Sequence, residues 1–307
     1  GTTLKAGYNG WYKDRSFSVK TGTSIGSRDY APLNEMFDYT KGEWNPGQGL
    51  VISGIYNDAF NGGMALHAFY AMADQQLGRK WRLVWGARAE YVNISDRNNY
   101  ILKQQEVFPG YDLSQIAVQE KNWNLMPSIN LTYKLTDKTN IRASFAQSII
   151  RPDMRELAYF SIYDYEYDNL LSGSFVKSTK INHYDLRAEW YPAAGQIISA
   201  SLFYKYMRNP MELQNGGTSS SLINNKYAKN IGLELEVRKS LDFVWNRLKN
   251  LSVYGNYTQL LKSEVQQQDL KFELDNTKKT ASINYVDAEK VQRPGAGQSD
   301  YLLNAGL

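Results

Sequence analysis

The segment KWRLVWGARAEYVNIS, residues 80–95, is the feature that most limits what this chain can fold into. Apolar and aromatic side chains occupy every second position, and charged or small residues fill most of the positions between them. Successive side chains of a β-strand point to opposite faces, so the segment is predicted to be a strand with one apolar and one polar face. Such a strand fits either a half-buried sheet in water or a sheet that crosses a bilayer.

The same alternation recurs along the chain and predicts about ten strands. They are expected at about 3–20, 62–75, 80–95, 123–135, 139–150, 183–191, 196–208, 227–237, 250–262 and from Tyr301 onward.

The connections between these strands differ in length in a regular way. Short turns are predicted at 76–79, 136–138, 192–195 and 240–249. Long loops rich in Gly, Asn, Asp, Ser or Tyr are predicted at 21–61, 96–121, 151–182, 209–226 and 263–299. Short turns at one end and long loops at the other are typical of an antiparallel up-and-down transmembrane β-barrel.

Two soluble folds compete with the barrel. A β-propeller predicts repeated signature residues at a steady spacing, and the strands here start at irregular intervals without a repeated motif. A β-sandwich favours shorter strands with short connections throughout. Strands long enough to cross a bilayer, with aromatic residues near both ends, favour the membrane barrel. The aromatic residues are Trp81, Tyr133, Trp190 and Tyr191 near the short turns, and Trp123, Tyr184, Tyr206 and Tyr227 near the long loops.

Composition narrows the class further. The net charge of +4 is small and dispersed, which argues against a nucleic-acid partner. The chain has no Cys, so disulfides and thiolate metal sites are excluded. The mean hydropathy is −0.52 and no run of about eighteen apolar residues predicts a transmembrane helix.

In a membrane barrel the apolar face of each strand faces lipid and the polar face lines the lumen, because a lipid-facing arginine at mid-bilayer costs about 2 to 4 kcal/mol. The charged residues predicted to face a lumen or a plug are Arg82, Arg88, Glu90, Asp185, Arg187, Glu189, Glu234 and Glu236.

Several stretches resemble the C-terminal barrel region of TonB-dependent receptors of the Bacteroidetes type. They are Arg151-Pro152 closing a strand, YDLR with EW at 184–190, FYK with NP at 203–210, and GLELE at 232–236. The resemblance covers essentially the whole chain. It implies a Gram-negative outer-membrane receptor that takes up a bulky nutrient, such as an oligosaccharide, peptide or metal chelate, without enzymatic activity or a cofactor.

Receptors of this family close a barrel of about 22 strands around a plug. Residues 1–307 read as a single barrel region with fewer strands, no plug and no TonB box, so we expect a fragment that lacks the plug domain and the final strands. The resemblance implies as partners the plug of the parent chain, TonB through the parent's N-terminal region, and, as a further option, a surface lipoprotein. The alternative is a self-contained barrel that acts as a porin or adhesin without energy coupling.

The densest cluster of recognition chemistry lies in the predicted loop 151–182. Aromatic rings beside carboxylates can stack on sugars or planar chelates, or can simply pack the loop against itself. The candidate ligand-binding residues are Tyr159, Phe160, Tyr163, Tyr165 and Tyr167. The interleaved acids Asp164, Glu166 and Asp168 leave Ca²⁺ binding open as a minor alternative, and no metal site is predicted.

Two further interpretations are weaker. His183 and Asp185 lie on one face of a strand, with Ser174 and Ser178 upstream. These residue types leave an outer-membrane hydrolase open as the least favoured function. The lysines of NTKKT at 276–280 and VKSTK at 176–180 are candidates for contact with outer-membrane lipid, through the phosphates of lipopolysaccharide, or are simply solvated.

Overall fold

The structure is a computed structural model that describes residues 1–25, 37–38, 43–44, 51–96, 108–113, 119–157, 161–164, 169–172, 176–215, 219–248 and 250–307. Strands dominate these residues. In chain order they are β1 Thr2–Ile25, β2 Phe37–Asp38, β3 Glu43–Trp44, β4 Val51–Leu77, β5 Trp81–Asp96, β6 Gln119–Thr136, β7 Thr139–Ile150, β8 Ser161–Asp164, β9 Asn169–Ser172, β10 Thr179–Trp190, β11 Ile197–Arg208, β12 Met211–Asn215, β13 Ser219–Asn224, β14 Tyr227–Ser240, β15 Ser252–Asp275, β16 Thr280–Val291 and β17 Tyr301–Gly306.

The main sheet contains eleven of these strands and is antiparallel throughout. Its order is β1-β4-β5-β6-β7-β10-β11-β14-β15-β16, and β17 also pairs with β15. Neighbours in this order follow one another along the chain, apart from short strands that leave the sheet, so the topology is the predicted meander. The tight ends lie at 78–80, 137–138, 191–196 and 241–251, which confirms the predicted short turns.

The remaining elements are small. The strands β12, β13, β9 and β8 form a four-stranded sheet in that order, and β2 pairs with β3. One helical turn, α1 Met154–Leu157, follows β7, and two 3-10 turns at Leu241–Phe243 and Asn246–Leu248 lie between β14 and β15. None of the helices in the described ranges is long and apolar enough to cross a membrane.

The two faces of the main sheet differ in chemistry as the alternation predicts. One face, here called the apolar face, carries Trp85, Leu186 and Leu202 and leaves them exposed; Leu125 is 65% exposed. The opposite face, here called the polar face, carries charged side chains, of which Glu189 is only 5% exposed. A soluble sheet buries its apolar face. Here the apolar side chains are exposed and charged ones are buried, which indicates a sheet whose apolar face contacts lipid.

Two predicted loops were too long. Residues 263–275 continue β15 and residues 280–291 form β16, although 263–299 was expected to be a loop. Strands also extend into 21–25 and 51–61. The pattern misses these extensions because a hairpin that extends past the acyl chains satisfies its backbone by pairing and has polar surroundings on both faces, so its side chains need not alternate.

The strand β15 has two partners on one edge. Its second half pairs with β16 through Val265↔Val291, and its first half pairs with β17 through Gln259↔Tyr301. The chain at 292–300 leaves this edge between the two pairings. Arg293 there bonds the Glu212 carboxylate of β12 at 3.0 and 3.2 Å, which ties the excursion to the small sheet.

Candidate functional site: the polar face of the sheet

The eight residues predicted to face a lumen all lie on the polar face. Three are on β5, three on β10 and two on β14. The register of β11 connects the last two strands, since Ser201 lies opposite both Arg187 and Glu234, and Ser199 lies opposite both Glu189 and Glu236. The sheet therefore collects residues that are far apart in sequence on one surface.

Arg187 is the centre of the largest ion-pair network on this face. Its guanidinium bonds Glu189 at 3.0 Å along its own strand and Glu236 at 2.5 Å across β11. Glu189 also accepts a bond from Arg142 of β7 at 2.8 Å and one from the Tyr191 hydroxyl at 2.9 Å. Glu189 is thus buried with its charge compensated on two sides.

Two members of this network differ from the sequence interpretation. Tyr191 was predicted to belong to the aromatic belt near the short turns, but its hydroxyl bonds a polar-face carboxylate. Arg142 was not among the predicted lumen residues, although its place at every second position of TNIRASFAQS puts it on the polar face. The alternation of β7 alone would have found it.

An open cavity of 420 Å³ lies on this face between β5 and β14. Its lining is polar apart from Val84. The residues are Arg82, Val84, Asn130, Thr132, Arg142, Ser144, Asp185, Arg187, Ser201 and Glu234. Both charge signs and several hydroxyl and amide groups line the cavity, so it can hold water or a polar segment of polypeptide.

Glu90 forms a second network nearer the long loops. Its carboxylate bonds Arg88 at 2.6 Å and Arg151 at 2.5 Å. Arg151 follows β7, so this ion pair fixes the start of the segment 151–157 against β5. Arg82 lies at the opposite end of β5, near the short turn, where it bonds the Asp74 carboxylate at 2.6 and 2.9 Å.

The segment 151–157 then covers part of the polar face. Asp153 bonds Lys13 at 3.3 Å and Arg15 at 3.0 Å, both on the distant strand β1. Apolar side chains close together beneath this segment. The buried members of this cluster are Met64, Val92, Ile94, Met154, Leu157 and Val176. The face is therefore polar along most of the strands and covered by apolar packing near the long loops.

The predicted ligand-binding loop is mostly beyond what the structure describes. Tyr159, Phe160, Tyr165 and Tyr167 lie outside the described residues, and only the backbone of Tyr163 is described, in β8. Among the described side chains, no group of three or more His, Asp or Glu residues could hold a metal ion.

The proposed hydrolase residues take other partners. His183 Nε2 lies 2.7 Å from the Ser148 hydroxyl on β7. The Ser178 hydroxyl instead bonds Glu120 at 2.6 Å, and Ser174 lies outside the described residues.

The architecture of the sheet indicates a class of protein. A long antiparallel meander with exposed apolar side chains on one face and compensated charges on the other is the organisation of an outer-membrane β-barrel wall. A family model described as "TonB dependent receptor-like, beta-barrel" matches residues 2–303. The chain therefore belongs to the TonB-dependent receptor family and is an outer-membrane β-barrel protein of the Gram-negative type. The predicted fold class and location are confirmed.

Solved structures of receptors and transporters are similar to this chain. The ferric-catecholate import receptor Fiu from E. coli K12 is 14% identical, with a TM-score of 0.50 over 88% of this chain and 36% of that receptor. The ferric citrate transporter FecA is 16% identical, with a TM-score of 0.46 over 87% of this chain and 37% of that one. The FrpB iron transporter from Neisseria meningitidis is 15% identical, with a TM-score of 0.42 over 67% of this chain and 26% of that one.

These proteins are described as receptors and transporters, not as enzymes. The chain spans 36% of the length of Fiu, which it matches with the TM-score of 0.50. A comparison with curated protein sequences gave no match.

Proposed function

We propose that this chain is part of the barrel wall of a TonB-dependent outer-membrane receptor that imports a bulky nutrient. The observation that carries the proposal is the compensated charge network on the polar face of a sheet whose apolar face is exposed. A wall of this kind can surround a hydrated polar interior while it faces lipid on its other side. Membership of the receptor family supports import as the activity.

The residues predicted to face the lumen are proposed to contact the plug of the receptor. The cavity around Arg187, Asp185 and Glu234 presents guanidinium and carboxylate charges side by side. Such a surface suits a polar folded domain, because each charge can be paired or hydrated when the domain docks. TonB would act through the N-terminal region of the receptor, and a surface lipoprotein is proposed as an additional partner.

The nutrient is proposed to be an oligosaccharide, a peptide or a metal chelate. Fiu is a ferric-catecholate import receptor, which favours a chelate, although the likeness concerns the fold alone. The tyrosine-rich loop with Tyr159, Phe160, Tyr163, Tyr165 and Tyr167 is the proposed contact for such a ligand, because aromatic rings stack on planar or sugar surfaces.

Uptake measured in cells tests this proposal. Deletion of the gene should abolish the uptake of one labelled nutrient among ferric chelates, oligosaccharides and peptides, and deletion of TonB should abolish the same uptake. Uptake that persists without TonB would favour the alternative, a porin that works without energy coupling. Loss of surface adhesion with no change in any uptake would favour an adhesin.

A further inference from the structure

A group of cations lies on the apolar face at the long-loop end of β10, β11, β14, β15 and β16, where the function proposed above does not require charge. The register aligns Lys180 of β10 with Arg208 of β11, and Tyr206 of β11 with Lys229 of β14. Lys262 of β15 lies opposite Ile231 of β14, on the same face. Lys290 of β16 lies opposite Gln266, which completes the group.

Three of these lysines converge on one carboxylate. Glu264 lies 3.1 Å from the Lys290 ammonium and 3.5 Å from those of Lys229 and Lys262. The Tyr227 hydroxyl donates to the same carboxylate at 3.2 Å. Glu264 is 7% exposed, whereas the three lysine side chains are between 38% and 53% exposed.

The charges of this group do not balance. One carboxylate compensates one of three ammonium groups, which leaves a net charge of about +2 beside the further cations Lys180 and Arg208. The neighbouring pair Lys226 and Asp287, with 2.5 Å between its charged atoms, is neutral and does not compensate the group. Ammonium groups held close together repel each other unless an anion lies between them.

The position of the group along the strands identifies the level in the membrane. Lys229 follows Tyr227 on β14, and the Tyr206 and Tyr227 rings stack with centroids 6.0 Å apart. Ile231 lies two residues after Lys229 on the same face of β14, and the lipid-facing Leu233 and Leu235 follow it. Tyrosine rings prefer the boundary between acyl chains and head groups, so the lysines lie at the level of the outer-leaflet head groups.

The other half of the sheet lacks this feature. Among the side chains described on the apolar face of β1 and β4 to β7 at the same end, Lys121 is the one cation and Asp14 is an anion. The positive charge is therefore confined to one sector of the wall and does not form a belt around it.

We propose that Lys229, Lys262 and Lys290 form a binding site for the phosphate groups of lipid A in the outer leaflet. A phosphate can accept charge-assisted hydrogen bonds from several ammonium groups at once, and Glu264 holds the lysines in place from beneath. The adjoining cations extend the site towards β10. The site depends on the outer-membrane location and not on which nutrient the receptor imports.

The test compares two triple variants of the full-length receptor purified from outer membranes in mild detergent. The first is K229Q/K262Q/K290Q. The matched control is K271Q/K278Q/K279Q on the β15–β16 hairpin, which removes the same charge from exposed lysines, including those of the NTKKT segment. The measurement is the affinity for bisphosphorylated lipid A and for the same lipid without phosphates.

The first variant should bind bisphosphorylated lipid A about 100-fold more weakly, since each lysine near a membrane surface contributes about a fivefold increase in affinity. The control should bind like the wild type, and lipid without phosphates should bind weakly to every form. Equal loss in both triple variants, or equal binding of the lipid without phosphates, would contradict the proposal. Displacement by an equal concentration of inorganic phosphate would show a site for free anions instead.

Glu264 provides a second and independent variant. Removing three lysines leaves Glu264 unpaired and can disturb folding, so K229Q/K262Q/K290Q/E264Q repeats the experiment without a stranded carboxylate. Glu264→Gln alone keeps a hydrogen-bond acceptor for the lysines and raises the net charge of the site, so it should tighten lipid A binding. Unchanged or weaker binding by Glu264→Gln in a folded protein would contradict the proposal. Nutrient uptake, measured on the same variants, reports separately on the import function.

Discussion

Glu90 connects β5 to the segment 151–157 that covers part of the polar face. It is buried, and it pairs with Arg88 on its own strand and with Arg151 at the start of the covering segment. The Arg151 guanidinium is itself largely buried. A buried charge that loses its partner keeps its desolvation cost, so such a pair is sensitive to removal of one member.

Glu90→Gln should therefore lower the stability of the folded protein by about 1–3 kcal/mol, because two arginines lose their counter-charge. The measurement is the midpoint of the urea unfolding transition in detergent. Glu234→Gln is the matched control, since Glu234 is exposed and makes no ion pair with any residue that the structure describes. Equal effects of the two substitutions would contradict the role given to Glu90.

The carboxyl of Glu264, proposed above to lie at the head-group level outside the acyl-chain region, is expected to respond to acid. A hydrogen bond from Lys290, with the nearby charges of Lys290 and Lys229 and the Tyr227 hydroxyl, lowers the pKa of Glu264 from 4.5 to about 2; Lys262 also faces it. A group whose pKa is lowered in the folded state stabilises that state above its unfolded pKa. This contribution should be lost as the pH falls from 4.5 through 2.

The difference in stability between the wild type and Glu264→Gln, measured by thermal unfolding, should thus shrink over that range of pH. If that difference in stability stays constant from about pH 5 to about pH 2, the pKa of Glu264 is not lowered by folding.

At the scale of the strands, a bulge in β14 and β15 depends on glycine. The register shifts between Ile231 and Gly232, and a Cβ at Gly232 would overlap the Phe203 ring and approach the Gln259 carbonyl oxygen to 2.8 Å. Phe203 lies opposite Gly232 on β11 and is buried. The ring occupies the space that a side chain at 232 would need.

Gly232→Ala should lower the thermal unfolding midpoint in detergent, because the ring or the β15 backbone must move; an effect of about 1–3 kcal/mol is typical of such overpacking. Gly255→Ala on β15 is the matched control, since its Cβ would lie 3.6 Å from the nearest atom, the Asn304 carbonyl oxygen. A larger effect at Gly255 would argue against the packing at the bulge.

The facing of the strands can be tested by chemical labelling. Cysteine introduced on the apolar face should react with lipid-soluble maleimides only, and cysteine on the polar face should react with small charged thiol reagents. The chain has no native Cys, so the background is clean. The positions are Leu83, Leu186, Leu233 and Leu235 for the apolar face, and Arg88, Arg187 and Glu234 for the polar face. Reversed or uniform labelling would contradict the assignment of the faces.

At the scale of the molecule, the main sheet has two borders. Among the described residues β1 pairs with β4 alone, and the other border consists of β16 and β17, both paired with β15. An unpaired strand edge in lipid costs several kcal/mol for each exposed N–H or C=O group. The two borders must therefore be paired, with each other or with further strands, when the sheet is in a membrane.

We expect residues 1–307 produced alone to refold poorly in detergent and to lack the heat-modifiable gel shift of closed barrels. The full-length receptor, refolded in parallel, should show that shift. A stable, heat-modifiable monomer from residues 1–307 would mean that β1 closes on the opposite border, and it would favour the self-contained porin or adhesin.

The sequence by itself determined the strands and their faces. The alternation in KWRLVWGARAEYVNIS and its repeats predicted β5, β7 and β11 to within a residue or so, and it placed the eight charged lumen candidates on the face opposite the leucines. This was possible because the two-residue period of a strand is a local property, and because lipid tolerates only one chemistry on the outward face.

The tertiary structure alone decided which charges meet. Arg151 reaches Glu90 over 61 residues, Arg293 reaches Glu212 over 81, and Lys13 reaches Asp153 over 140. No periodicity encodes such pairs, since they depend on strand order, on register and on where the loops fold back. The same holds for the three lysines around Glu264, which come from three strands and become a site only when β14, β15 and β16 lie side by side.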